Sequence, residues 1–95
     1  MAVNWSVFYS CKAAKQRGQL SVRWRKVLAA LVAEIKRDGP VRGNWPNYSK
    51  LGSVSHHCHL NKKGSPTYVA VWEVADRKIR IIEVTYVGTR EKAPY

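Results

Sequence analysis

Three histidines and a cysteine stand in one run, His56-His57-Cys58-His59, and an arginine and a tyrosine, Arg90 and Tyr95, follow near the C-terminal end. Imidazole exchanges protons near neutral pH, so two histidines on one face suit general acid–base work. A guanidinium adds fixed positive charge for a phosphate. The same run invites a metal, but zinc needs three or four ligands converging at about 2.0–2.3 Å, and successive strand residues point to opposite faces. Only His57 with His59, or His56 with Cys58, share a face, and the sequence has no CxxC or second ligand pair. No metal or other cofactor is expected. Cys11 and Cys58 lack a clear Cys-His-Asx arrangement and read as inert thiols.

The elements that must position these groups follow from the hydrophobic period. From residue 53 the pattern alternates, with Val54, His56, Cys58 and Leu60 on one side and Ser55, His57, His59 and Asn61 on the other. His56 and Cys58 are therefore expected to pack opposite a helix, and His57 and His59 to lie on a polar face. Taken alone, that pair reads first as ordinary exposed sheet histidines. Residues 61–66 form a hairpin turn with Lys62 and Lys63 at its tip, residues 67–75 a second strand, 76–78 a tight turn and 79–87 a third strand.

Ahead of this meander, residues 4–10 read as a strand that joins one of its edges, and residues 11–19 as a helical turn or a helix interrupted by Gly18. Ser21 opens a stronger helix to about Arg37, with Trp24, Val27, Leu28, Leu31 and Ile35 on one stripe, and Asp38-Gly39-Pro40 stops it. Trp45 and Tyr48 pin the turn-rich segment 39–52 to the body. With Tyr95, they are better placed for ligand contact than Tyr9, Trp24 and Trp72, which belong to regular elements. The expected architecture is α+β, a small two-layer sandwich: an antiparallel sheet, made of the N-terminal strand plus the three-strand meander, packed against N-terminal helices. One domain spans residues 1–95.

Charge narrows the partners. Seventeen Lys and Arg against six Asp and Glu give a formal +11 over 95 residues, and no acidic residue precedes Glu34. So basic a small chain is expected to bind a polyanion. Arg23, Lys26 and Arg37 lie off the apolar stripe of their helix and are candidates for phosphate contact. The chain shows no apolar run of membrane-spanning length, no secretory leader pattern and no glycine-rich phosphate loop. With two cysteines read as reduced thiols, a cytoplasmic protein with no membrane association is expected.

The C-terminal half has a further pattern: a strand, a Gly/Pro turn, a second strand through Tyr68, Trp72 and Asp76, and a third from Lys78 ending in Val87-Gly88-Thr89-Arg90, with Tyr95 beyond. In that order it resembles the RelE/ParE superfamily of toxins from type II toxin–antitoxin systems, on the RelE side. Element order and length match over almost the whole chain, and motif support lies within residues 51–95.

The resemblance implies a ribosome-dependent, metal-independent mRNA endonuclease that cuts in the A site and so inhibits translation. The RNA 2′-hydroxyl attacks its own phosphodiester and leaves a 2′,3′-cyclic phosphate. It assigns Arg90 to the phosphate charge and Tyr95, at a spacing one residue shorter than the family's, to orienting or activating the hydroxyl. It sets His57 and His59 where the family carries two lysines, with His59 as general acid or base and His57 supporting it or binding phosphate. One family arginine falls at Tyr68 or Val69 here, so a phosphate clamp is missing, and Lys62, Lys63 or Arg80 stand as substitutes. Lys92 joins them as an RNA contact. The partners implied are an acidic antitoxin, the ribosome and mRNA, with a toxin–antitoxin hetero-oligomer. Two other functions fit the same fold: a non-enzymatic gyrase inhibitor of the ParE kind, and a plain RNA- or ribosome-binding module.

Overall fold

The computed structural model describes residues 4–64 and 66–95, among which stand five strands, the two longest rich in β-branched and aromatic residues. Ser65, within the turn expected at 61–66, lies outside the described residues. The order is β1 (Ser6–Tyr9), α1 (Cys11–Gln19), α2 (Val22–Asp38), β2 (Ser49–Lys50), β3 (Ser55–His59), β4 (Tyr68–Asp76) and β5 (Ile81–Thr89), then a 3-10 turn over Arg90–Lys92. The strands lie side by side as β1-β5-β4-β3-β2.

The α+β architecture and the meander are as expected, but the sheet is mixed rather than antiparallel. β1 runs parallel to β5, with Ser6 opposite Ile81 and Tyr9 opposite Val84. Residue pattern marks a strand without marking its direction, which is decided by where the chain re-enters the sheet after the helices. β2 was not anticipated because two residues carry no period. β3 starts at Ser55, so Val54, expected to face the core, is 40% exposed. β5 starts two residues later than expected, leaving Ile79 exposed and Arg80 in the left-handed region at φ 57°.

Ser10 caps α1, its Oγ accepting from the Ala13 amide at 3.0 Å. The helix continues through Gly18, since an exposed helical glycine costs only about 1 kcal/mol relative to alanine. Ser21 occupies the N-cap of α2, though its hydroxyl makes no capping bond. Leu28, Leu31, Val32 and Ile35 of α2 pack with Cys58, Ala70, Trp72, Ile82 and Val84 of the sheet, each leucine or isoleucine contributing about 1.5–3 kcal/mol. Gly39 ends α2 at φ 96°, where an added Cβ would stand 3.2 Å from the Trp5 indole nitrogen.

A bulge in β5 prepares the opposite face. Trp72 pairs with Val84, but Val71 pairs with Tyr86, so Thr85 is the extra residue. Alternation is thereby reset: Ile82, Val84 and Val87 join the core under the helices, and Tyr86 clusters with Val69 and Val71 on the open face.

Candidate functional site

A short loop fastens three histidines in turn, His57 and His59 on the open face and His56 on the core face. The loop is first tied to the body: the Trp72 indole N–H donates to the Pro40 carbonyl at 3.0 Å, and Asn44 and Arg42 donate to Glu34 Oε1 at 2.8 and 3.3 Å. These bonds, led by that of Asn44, hold the Glu34 carboxyl below its usual range. Asn47 then turns the chain at φ 51°. Its Nδ2 lies 3.0 Å from His59 Nδ1, Tyr48 Oη lies 2.6 Å from His56 Nδ1, and Ser49 Oγ lies 3.2 Å from His57 Nδ1. β2 runs antiparallel to β3 with Ser49 opposite His57, which brings the clasp into register. Each ring thus spends Nδ1 on the loop and keeps Nε2 for other work.

Alternation sorts the three rings as expected. His56 is buried, stacked on Trp72 at 6.0 Å between centroids with an interplanar angle of 7°, and burial lowers its pKa. Burial pushes the neighbouring Cys58 thiol up to about 12, so it stays an inert thiol. His57 lies on the other face but is only 8% exposed, more buried than a polar-face residue was expected to be. The Tyr95 ring covers it at 4.5 Å between centroids, and the His59 ring stands 6.2 Å away.

Arg90 completes the group. Its backbone N–H donates to the Thr67 carbonyl at 2.8 Å, which holds the start of the 3-10 turn against the sheet. Its charge is felt at His57, His59 and Tyr95. Burial is the main cause that lowers both histidine pKa values, and the Arg90 charge lowers them further. Burial raises Tyr95, while Arg90 draws it partly back. Near pH 7 the site therefore presents neutral imidazoles, a protonated phenol and a guanidinium. That set can take a proton from a hydroxyl and neutralise a phosphate. Among the described residues, no three His, Cys, Asp or Glu side chains converge to hold a metal ion.

Two residues that sequence reasoning missed, Asn47 and Ser49, orient the histidines; they meet His59 and His57 only through the pairing of β2 with β3, which no local pattern announces. A third is Tyr86, whose phenol donates to the Thr89 carbonyl at 2.7 Å beside Gly88. Trp45 and Tyr48 pack against the core, as expected of residues that pin segment 39–52 to the body, and not as ligand contacts.

The other expected RNA contacts fall in three places. Lys62 and Lys63 sit exposed on the β3–β4 turn, at the same end of the sheet as Arg90, and Lys92 shares the 3-10 turn with Arg90. Arg23, stacked over Trp24 at 5.0 Å, shares a hollow of about 270 Å³ with Lys63, whereas Lys26 and Arg37 are exposed along α2, Arg37 bonded to Asp38 at 2.9 Å. Arg80 lies over Trp5 at the opposite end of β5, roughly 30 Å from Arg90 at the usual rise per strand residue. It cannot replace a phosphate clamp beside Arg90.

No protein-family model and no curated protein matches the sequence. Solved structures do. A doubly substituted form of Escherichia coli toxin RelE in the free state superposes with a TM-score of 0.69 at 20% identity, covering 98% of this chain and 88% of that one. The archaeal RelE–RelB complex from Pyrococcus horikoshii gives 0.68 at 12% identity, covering 95% and 99%. The YoeB dimer from Staphylococcus aureus gives 0.64 at 19% identity, covering 86% and 92%. The chain has the RelE-like fold, in keeping with the resemblance seen in its sequence; at these identities the likeness concerns the fold.

Proposed function

We propose that this chain, built on the fold of RelE toxins, is the toxin of a toxin–antitoxin pair and cuts mRNA on the ribosome without a metal. The observation that carries this is the convergence of His57, His59, Tyr95 and the Arg90 charge on one face of the sheet. In the reaction, His59 Nε2 takes the proton of an RNA 2′-hydroxyl, whose oxygen forms a bond to the adjacent phosphorus. Base action at Nε2 needs the Asn47 amide turned so that Oδ1 accepts from an Nδ1–H; the present orientation makes Nε2–H a phosphate donor. Arg90 offsets the extra charge on the pentacoordinate phosphorus. The bond to the 5′-oxygen breaks, that oxygen receives a proton from the His59 imidazolium, and a 2′,3′-cyclic phosphate and a 5′-hydroxyl remain. His57 supports the Tyr95 ring, and the protonated phenol orients the attacking hydroxyl. Lys62, Lys63 and Lys92 hold flanking phosphates, and Arg23, Lys26 and Arg37 contact ribosomal RNA. The partner that restrains the activity is an acidic antitoxin, consistent with a structural neighbour that is a RelE–RelB complex.

Primer extension on ribosomes stalled on a defined message tests this directly. Cuts in the A-site codon are expected that require the ribosome and survive EDTA. They should fall by about 100-fold or more in His59→Ala and in Arg90→Ala. Absence of cuts by the parent protein, or equal cutting by both variants, would refute the mechanism and turn attention to a gyrase supercoiling assay.

A further inference from the structure

We infer that the hollow between α1 and the C-terminal end of β5 is a binding site for an RNA nucleotide flanking the one that is cut. The inference rests on the RNA-cleaving role proposed above. β1 ends at Tyr9, opposite Val84, so the rest of β5 has no strand on that side. α1 lies there instead, and Gln16 Oε1 accepts the Val87 amide hydrogen at 3.0 Å. Between helix and strand a space of about 370 Å³ stays open, within the roughly 300–1,000 Å³ of small-ligand sites.

Its chemistry suits a nucleotide. Lys12 and Lys92 bring two ammonium groups, and no carboxylate lines the space among the described residues. Gln16 has spent its carbonyl on β5, which leaves its amide hydrogens for the acceptor atoms of a base edge, and Gln19 adds a second carboxamide. Tyr68, half-buried with its ring 5.0 Å from that of Trp24, supplies aromatic surface of the kind on which bases stack, while buried Tyr86 forms the floor. A bare anion would use the lysines and leave the amides and the Tyr68 ring idle.

The hollow is also continuous with the candidate site. Tyr86 borders it and packs with Val69 and Val71 on the open face, where His57 lies opposite Val71. Lys92 lines it from the same 3-10 turn that carries Arg90, where the rise is only about 2 Å per residue. A strand whose phosphate meets Arg90 therefore has its next nucleotide beside Lys92, at the mouth of the hollow. Gly88 lines it as well and leaves room for the Tyr86 phenol, since a Cβ there would stand 2.7 Å from Tyr86 Oη.

Titration of the ¹⁵N-labelled protein with 5′-AMP, adenosine and inorganic phosphate separates the cases. 5′-AMP is expected to shift amides within residues 12–20 and 86–92 and to bind at least fivefold more tightly than adenosine or phosphate. Lys12→Ala, an exposed position, should weaken 5′-AMP at least fivefold with an unchanged far-UV circular dichroism spectrum. Repeating the titration in His59→Ala reports on the hollow whether or not the protein cuts RNA, so failure of the cleavage mechanism and failure of the subsite are told apart. Equal affinity for phosphate and 5′-AMP, shifts confined to the surroundings of His57 and His59, or no shifts at all would each overturn the proposal.

Discussion

At the scale of single residues, burial lowers the pKa values of His57 and His59, a backbone hydrogen bond with Ser49 partly offsets this at His57, and Arg90 acts on both. Arg90 disfavours a second positive charge close by, so it adds to burial in holding both imidazoles below their ordinary value of 6.5. Replacing Arg90 by Gln removes that repulsion and favours the protonated rings. Both titration midpoints are then expected to move up towards 6.5, read from the histidine ring protons by NMR; a downward move or none would contradict the placement of Arg90. Asn47 acts more locally. Asn47→Ala takes away the partner of His59 Nδ1, a bond of about 0.5–1.5 kcal/mol, and a cleavage rate lower by up to about tenfold is expected. The same variant should alter the ¹⁵N signature of the His59 tautomer, which a purely structural effect would leave in place. The pairing of His57 with His59 was legible in strand alternation. The clasp from Asn47 and Ser49 was not, because it depends on a two-residue strand that no periodicity announces.

At the scale of elements, the bulge and the glycine of β5 explain why Val87-Gly88-Thr89-Arg90 reads as it does. Val87 turns inward to the helices, Gly88 lets the Tyr86 phenol reach the Thr89 carbonyl, and Arg90 begins the 3-10 turn. A Cβ at position 88 would meet Tyr86 Oη at 2.7 Å and Cζ at 3.1 Å. Gly88→Ala is therefore expected to cost about 1–3 kcal/mol, seen as a lower denaturant midpoint. Tyr86→Phe, losing one hydrogen bond, costs about 1 kcal/mol, and the double variant less than the sum, since both changes remove the same contact. Additive losses would mean that Gly88 serves some other purpose.

At the scale of the whole molecule, the net charge of +11 sets the salt dependence expected of the proposed RNA contacts. Lys62, Lys63, Arg90 and Lys92 lie at one end of the sheet. Four phosphate contacts on a single strand imply a log–log salt slope near −3, or about 50-fold weaker binding for a fourfold rise in salt. Fluorescence anisotropy with a 2′-deoxy oligonucleotide, which cannot be cut, measures this. Arg90→Ala should flatten the slope by about 0.7, and an unchanged slope would place the RNA elsewhere. The same end of the molecule is where an acidic antitoxin would be drawn.

Local pattern carried a good share of this protein. The apolar stripe of α2, the alternation of β3 and the hairpins of the meander each depend on near neighbours in sequence, so their residues announce them. The direction of β1, the bulge at Thr85 and the meeting of residues 47–49 with three histidines depend on long-range register, to which no short window is sensitive. Burial is the clearest case. Alternation put His57 on the face away from the helices, but only tertiary packing laid Tyr95 over it, and that desolvation is what favours the neutral imidazole.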